Sequence, residues 1–167
     1  AAQEGLRIVL HAENHEIIAR LRGKAVEEGN HAPRFHALTR PPIAEVEAVG
    51  RAIAFSRDTG CALHIFHLVA GEALALVAAA RADRLPVTAE TCTHYPALTG
   101  AALDRPDAPH FVMSPPLRSE ANRDRLWQAL RDGPLTVVAS DEVSYSVEAK
   151  TIGVECFTDI ANGCPGV

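Results

Sequence analysis

The residues of this chain best suited to chemistry are two histidines and an aspartate, each of which closes a short apolar run. His11 follows RIVL in the stretch IVLHAENH, His67 ends HIFH, and Asp141 follows VVAS. His11 and His15 stand four apart and would share one face of a helix. The β-branched, apolar residues before His11 instead make it the C-terminal end of a strand, with His15 in the helix or loop that follows. In His64-Ile65-Phe66-His67, strand parity sends residues three apart to opposite faces, so only one of the two histidines can look into an active side. His67, at the end of the run, is the candidate. Neutral imidazole and carboxylate are suitable ligands for a divalent metal such as zinc. Taken singly, each residue has a bland reading: a strand-end histidine satisfied by hydrogen bonds, or an aspartate capping a helix. Taken together, at the ends of three separate strands, they point to a metal site.

The elements that must position them are legible as an alternation. Residues 6–10 are a short run with Ile and Val, apolar apart from Arg7 and read as a strand buried on both faces, and a helix is expected over 16–28. After a polar, histidine-containing loop, Arg40-Pro41-Pro42 leads into a helix over 43–58, which Gly60 ends. Residues 61–68 then read as a strand, 71–83 as an Ala/Leu-rich helix, 86–91 as a strand, 119–131 as a helix and 135–139 as a strand. Such alternation implies βαβ units and a parallel sheet. Four βα units are about half of an eight-unit barrel, whose usual length is about 250 residues. The alternative is a small doubly wound sheet, but no GxGxxG or GxxxxGK[ST] follows any strand. In a barrel the C-terminal strand ends meet at one rim, which would gather His11, His67 and Asp141.

Composition narrows the partners. The chain has 167 residues, is 47% hydrophobic and 22% charged, and carries a net charge of -5, as expected of one soluble globular domain. With 21 acidic against 16 basic residues and no Lys/Arg cluster, there is no footprint for nucleic acid or an anionic membrane. Its apolar stretches fall short of the roughly 20 residues that span a bilayer, and the first residues lack a basic region followed by an apolar one, so a cytoplasmic protein is expected. Cys61, Cys92, Cys156 and Cys164 show no CxxC spacing and read as reduced thiols. The chain starts without methionine and ends in the turn-forming residues 162–167, which reads as one partial domain, 1–167, cut at both ends.

Several segments, in order, carry a family resemblance: HAEN at 11–14, RP at 40–41, AETCTHY at 89–95, SPPLR at 114–118, LWQALRDG at 126–133, VVASD at 137–141 and FTDIANGCPGV at 157–167. Together they resemble the dihydropyrimidinase/hydantoinase branch of the cyclic amidohydrolases. The resemblance implies the second half of a metal-dependent (β/α)8 TIM barrel and hydrolysis of a cyclic amide such as dihydrouracil or hydantoin, a reaction of pyrimidine catabolism. It implies that His11 and His67 bind one metal of a two-metal centre, usually zinc, and that Asp141 binds the other. A hydroxide between the metals would attack the ring carbonyl, and Asp141 would accept its proton and deliver it to the leaving nitrogen. Ser114 and Asn162 match positions that hold the ring, mainly through backbone groups; read without the resemblance, both are turn residues. The resemblance also implies a homo-oligomer.

The chain departs from the family pattern in two places. Glu142 stands where the family has histidine, and the family's HxH and carboxylated bridging lysine have no counterpart here. Lys24 and Lys150, the only lysines, do not end apolar strands. With three of six expected ligands, the 167 residues alone are expected to be inactive. Two alternatives share some of this evidence: an allantoinase-like or dihydroorotase-like hydrolase, and a non-catalytic dihydropyrimidinase-like scaffold. His31, His36, His64, His94 and His110 read as ordinary histidines, with His94 also placed to sit behind the site. Trp127 reads as helix packing.

Overall fold

A computed structural model describes residues 1–164. Four parallel strands, β1 (Arg7–Leu10), β2 (Ala62–Ile65), β3 (Val87–Cys92) and β4 (Leu135–Ala139), pair in the order β1-β2-β3-β4. Each strand lies beside its predecessor with no reversal of order. That sequential winding is the pattern of a (β/α) barrel, and it excludes the doubly wound alternative, whose strand order reverses at a switch point.

The connecting helices start and stop where the side chains dictate. Helix α1 (His15–Glu27) begins at Asn14, whose side chain accepts the backbone N–H of Ile17 at 3.1 Å. Helix α3 (Pro42–Thr59) opens on proline and closes at Gly60, whose φ of 71° is left-handed and costs glycine nothing. Helix α4 (Gly71–Ala82) and helix α6 (Glu120–Asp132) follow β2 and precede β4, the latter capped by Ser119. The polar loop expected before α3 contains a short helix, α2 (Arg34–Leu38); two others, α5 (His94–Ala97) and α7 (Val147–Lys150), follow β3 and β4.

The core lies between the sheet and α3, α4 and α6. One cluster joins Val49 and Ile53 of α3, Leu63 and Ile65 of β2, Leu74 and Val77 of α4, Val87 and Ala89 of β3, Leu126 of α6 and Leu135 of β4. Each such side chain contributes about 1.5–3 kcal/mol when fully buried. Leu63 and Ile65 face this core, so the alternating His64 takes the other face of the sheet, where its ring meets Thr88 at 2.7 Å and Glu90 at 3.0 Å.

Three expectations change. Residues 6–10 are not buried on both faces: Ile8 and Val9 are 43% and 44% exposed, because β1 pairs only with β2 among the described residues. The apolar run encodes a strand, and its burial depends on a neighbour that these residues do not supply. The strand expected over 61–68 ends at Ile65. Trp127 is half-exposed on α6 and donates its indole N–H to the Pro96 carbonyl at 2.9 Å, while Leu126 and Ala129 do the packing. Among the described residues no helix is long and apolar enough to cross a membrane.

Candidate metal centre

His11 lies one residue beyond β1 and His67 two beyond β2, at the same end of neighbouring parallel strands. Their rings meet edge to face, 4.7 Å between centroids, with His11 Nδ1 and His67 Nε2 3.1 Å apart. Two imidazole nitrogens bound to one tetrahedral zinc at about 2.0–2.1 Å stand roughly 3.3 Å apart, so the pair fits a shared divalent cation with little movement. Burial pushes the His67 imidazole below its ordinary pKa; His11 adds to the effect and Asp141 opposes it. A ring kept neutral in this way is in the form that ligates metal.

A local device aims each ring. His67 has φ 36°, left-handed and unfavourable for a residue with a Cβ. The turn after it is overdetermined: the buried Glu45 carboxylate accepts the N–H groups of Val69 and Ala70 at 2.7 and 2.9 Å. Asn122 accepts from Gly71 N–H and donates to Val69 O, both at 2.7 Å. Gly71 permits this approach, since a Cβ there would lie 2.7 Å from the Arg125 side chain. Asp141 is left-handed too, at φ 46°. Among the described residues, two of the three non-glycine residues with positive φ are thus candidate ligands, and backbone strain of this kind collects at functional sites.

Behind His11, Glu13 Oε2 lies 2.9 Å from His11 Nε2 and 2.5 Å from the Arg40 guanidinium. Burial alone would raise the Glu13 carboxyl, but the His11 hydrogen bond and the Arg40 charge outweigh it and hold the group below its usual range. His11 is itself half-open, its side chain 42% exposed against 2% for Glu13.

The other sequence-predicted residues divide into two groups. Asp141 is exposed and close enough to His67 and His94 to oppose the fall that burial imposes on both rings, the latter down to about 4. Among the described residues, however, no three His, Cys, Asp or Glu side chains form a ready metal cage. Glu142 is exposed, accepts the Ser144 hydroxyl at 3.2 Å, and pairs as an isolated parallel bridge with Cys164. Ser114 and Asn162 do come together, the serine hydroxyl donating to Asn162 Oδ1 at 3.0 Å. Residues 165–167 of the last motif lie outside the described residues.

Sequence reasoning missed two side chains in this second group. His36, read as ordinary, is buried beside Ser114: its Nε2 lies 3.2 Å from the serine hydroxyl and 2.9 Å from Met113 O, and burial pushes its pKa down to about 4. Lys150, noted only as not ending an apolar strand, is 1% exposed and donates to the carbonyls of Val112, Ala161 and Gly163 at 3.0, 2.5 and 2.7 Å. Neither has a local sequence signal, because their partners are distant backbone groups.

No family model matches the chain. In an alignment of 170 positions that covers all of this chain, it is 41% identical to a D-hydantoinase of Ralstonia pickettii, of which it spans 37%. A crystal structure of a D-hydantoinase superposes with a TM-score of 0.96 at 39% identity, over 99% of this chain and 36% of that one. The dihydropyrimidinase of Brevibacillus agri NCHU1002 superposes at 0.95 and 40% identity, over 98% and 36%.

Proposed function

We propose that this chain, related over its whole length to little more than a third of the D-hydantoinases and dihydropyrimidinases, carries metal-binding and substrate-holding residues of a hydrolase that opens cyclic amides. The observation that carries the reading is the His11–His67 pair, two ring nitrogens 3.1 Å apart at adjacent strand ends on the rim where barrel enzymes do their chemistry. Bound there, divalent metal, two zinc ions in the complete centre, supplies a water of lowered pKa and polarises the ring carbonyl.

The roles of the side chains follow from their chemistry. His11 and His67 would hold one metal between the facing nitrogens, 3.1 Å apart. Asp141 contributes to the second and serves as the acid/base group, taking a proton from the attacking water and returning it to the amide nitrogen as the C–N bond breaks. Ser114 and Asn162, brought together by the loop that Lys150 holds, position the ring through their backbone groups. A hydantoin or dihydropyrimidine ring is the substrate class.

The 167 residues by themselves offer too few donors for two metals, so they are expected to bind zinc weakly and to turn over nothing. The test is a chimera in which this chain replaces the aligned segment of the Ralstonia pickettii D-hydantoinase. Hydrolysis of hydantoin by the chimera, abolished by His67→Ala together with a loss of bound zinc, is the expected result. A folded chimera that holds its zinc without His67, or that never hydrolyses the ring, would overturn the reading.

A further inference from the structure

We infer that Glu13, clamped by Arg40, is a positioning residue that fixes the tautomer of His11 so that the Nδ1 lone pair faces His67. The inference rests on the proposed metal-binding role of the histidine pair and adds a residue to which no role has been given.

A neutral imidazole carries one proton on either of two nitrogens, and which one is set by the hydrogen bond the other makes. A carboxylate can only accept. With Glu13 Oε2 2.9 Å from His11 Nε2, the proton belongs on Nε2, and Nδ1 is left as a lone pair directed at His67 Nε2, 3.1 Å away. For this to work the carboxylate must not turn. Glu13 is almost fully buried and its Oε2 is shared with the Arg40 guanidinium at 2.5 Å. Arg40 is held in turn: the buried Arg118 donates to its backbone carbonyl and pairs with the buried Glu45 at 3.3 Å. The chain of contacts therefore runs from Glu45 through Arg118, Arg40 and Glu13 to the ring. Residues of three motifs, Glu13 of HAEN, Arg40 of RP and Arg118 of SPPLR, supply its links. The next residue, Asn14, anchors the same segment by capping α1 and donating to Glu47 at 2.6 Å.

Outer residues that orient a ligating histidine typically account for about 10- to 100-fold in metal affinity. The experiment uses the full chain, with nitrogen-15 spectra of the histidine rings recorded without metal and zinc affinity measured by competition with a chromophoric chelator. In the wild type His11 is expected as the Nε2–H form. In Glu13→Ala the ring is expected to populate the Nδ1–H form as well, and zinc affinity to fall by about 10- to 100-fold. Glu13→Leu, similar in size but unable to accept a hydrogen bond, serves if the alanine variant does not fold, and a shift of tautomer with a weaker zinc affinity is expected there too. A purely structural role would lower the melting temperature and leave the ring spectrum of the folded protein unchanged; that result, with unaltered zinc affinity, overturns the inference. Failure of the functional reading looks different: zinc bound equally well by His67→Ala, or not at all by the wild type, while the metal-free tautomer still decides the role of Glu13.

Discussion

The two sides of the candidate site are built on different plans. On the histidine side, charge holds charge: the ion pairs Glu45–Arg118 and Arg40–Glu13, joined by the Arg118 hydrogen bond to the Arg40 carbonyl, form a line that ends on His11, and the same Glu45 ties the turn that carries His67. On the side of Asp141, Ser114 and Asn162 there is no such line among the described residues. A single buried ammonium, Lys150, collects three backbone carbonyls, and the aspartate itself is open to solvent. Ligating rings must be held to fractions of an ångström, which rigid, desolvated pairs can do. A residue that must reach a substrate and shuttle a proton is better placed on a loop whose backbone, rather than its side chains, is fixed.

The sharpest way to break this contrast is at Glu45. Its removal leaves Arg118 as an uncompensated buried charge and two N–H groups of the His67 turn without an acceptor. Breaking a buried pair from one side costs about 3–5 kcal/mol, enough to unfold a domain of ordinary stability or bring it close to unfolding. Glu45→Ala should therefore lower the urea midpoint drastically or yield no folded protein. A cost near 1 kcal/mol would mean that the histidine side is held by packing and that the ion pairs are incidental.

Lys150 should behave differently, because its task is to donate and its environment resists its charge. Burial brings its pKa from 10.5 down to about 8. Between those values the unfolded chain holds a proton that the folded chain has released, so stability should rise with pH from about 8 to 10.5. Lys150→Met removes that rise and leaves three carbonyls short of a donor, at a cost of about 1–3 kcal/mol near neutral pH. Cys92 and Tyr95, whose pKa values burial raises, act in the opposite direction at high pH, which is why the difference between wild type and variant is the quantity to follow. A difference that stays flat from pH 8 to 10.5 would show that the ammonium is not desolvated in the folded chain.

What the sequence revealed follows the same division. Strand ends, helix caps and the helix-starting prolines are local, and they placed β4 correctly and α1, α3, α4 and α6 to within a residue or two. The choice of His67 over His64 rested on an incomplete reason. Parity separates His64 from the core-facing residues, but β2 stops at Ile65 and a left-handed turn, invisible to periodicity, sets the direction of His67. Glu45, Arg118 and Lys150 carry no signature because each is a charge made tolerable by partners far away in the chain. The exposure of β1 was missed for a related reason: apolar content encodes the strand, while burial depends on what stands beside it.

The smallest effect is expected at Ser114, and it tests whether backbone or side chain does the work on the open side. The hydroxyl donates to Asn162 Oδ1 at 3.0 Å and neighbours His36 Nε2, yet the Ser114–Asn162 contact is solvent-accessible, so water can replace it. Ser114→Ala should cost no more than about 0.5–1.5 kcal/mol. In a domain of this size that corresponds to a fall in melting temperature of about 2–4 °C per kcal/mol. If the ring is held by backbone groups, the KM of the hydantoinase chimera should stay within the same order of magnitude. A loss of tenfold or more in KM with kcat unchanged would correspond to about 1.4 kcal/mol of binding lost with the hydroxyl. The side chain would then be a direct substrate contact, and the loop that Lys150 holds would be presenting side chains as the histidine side does.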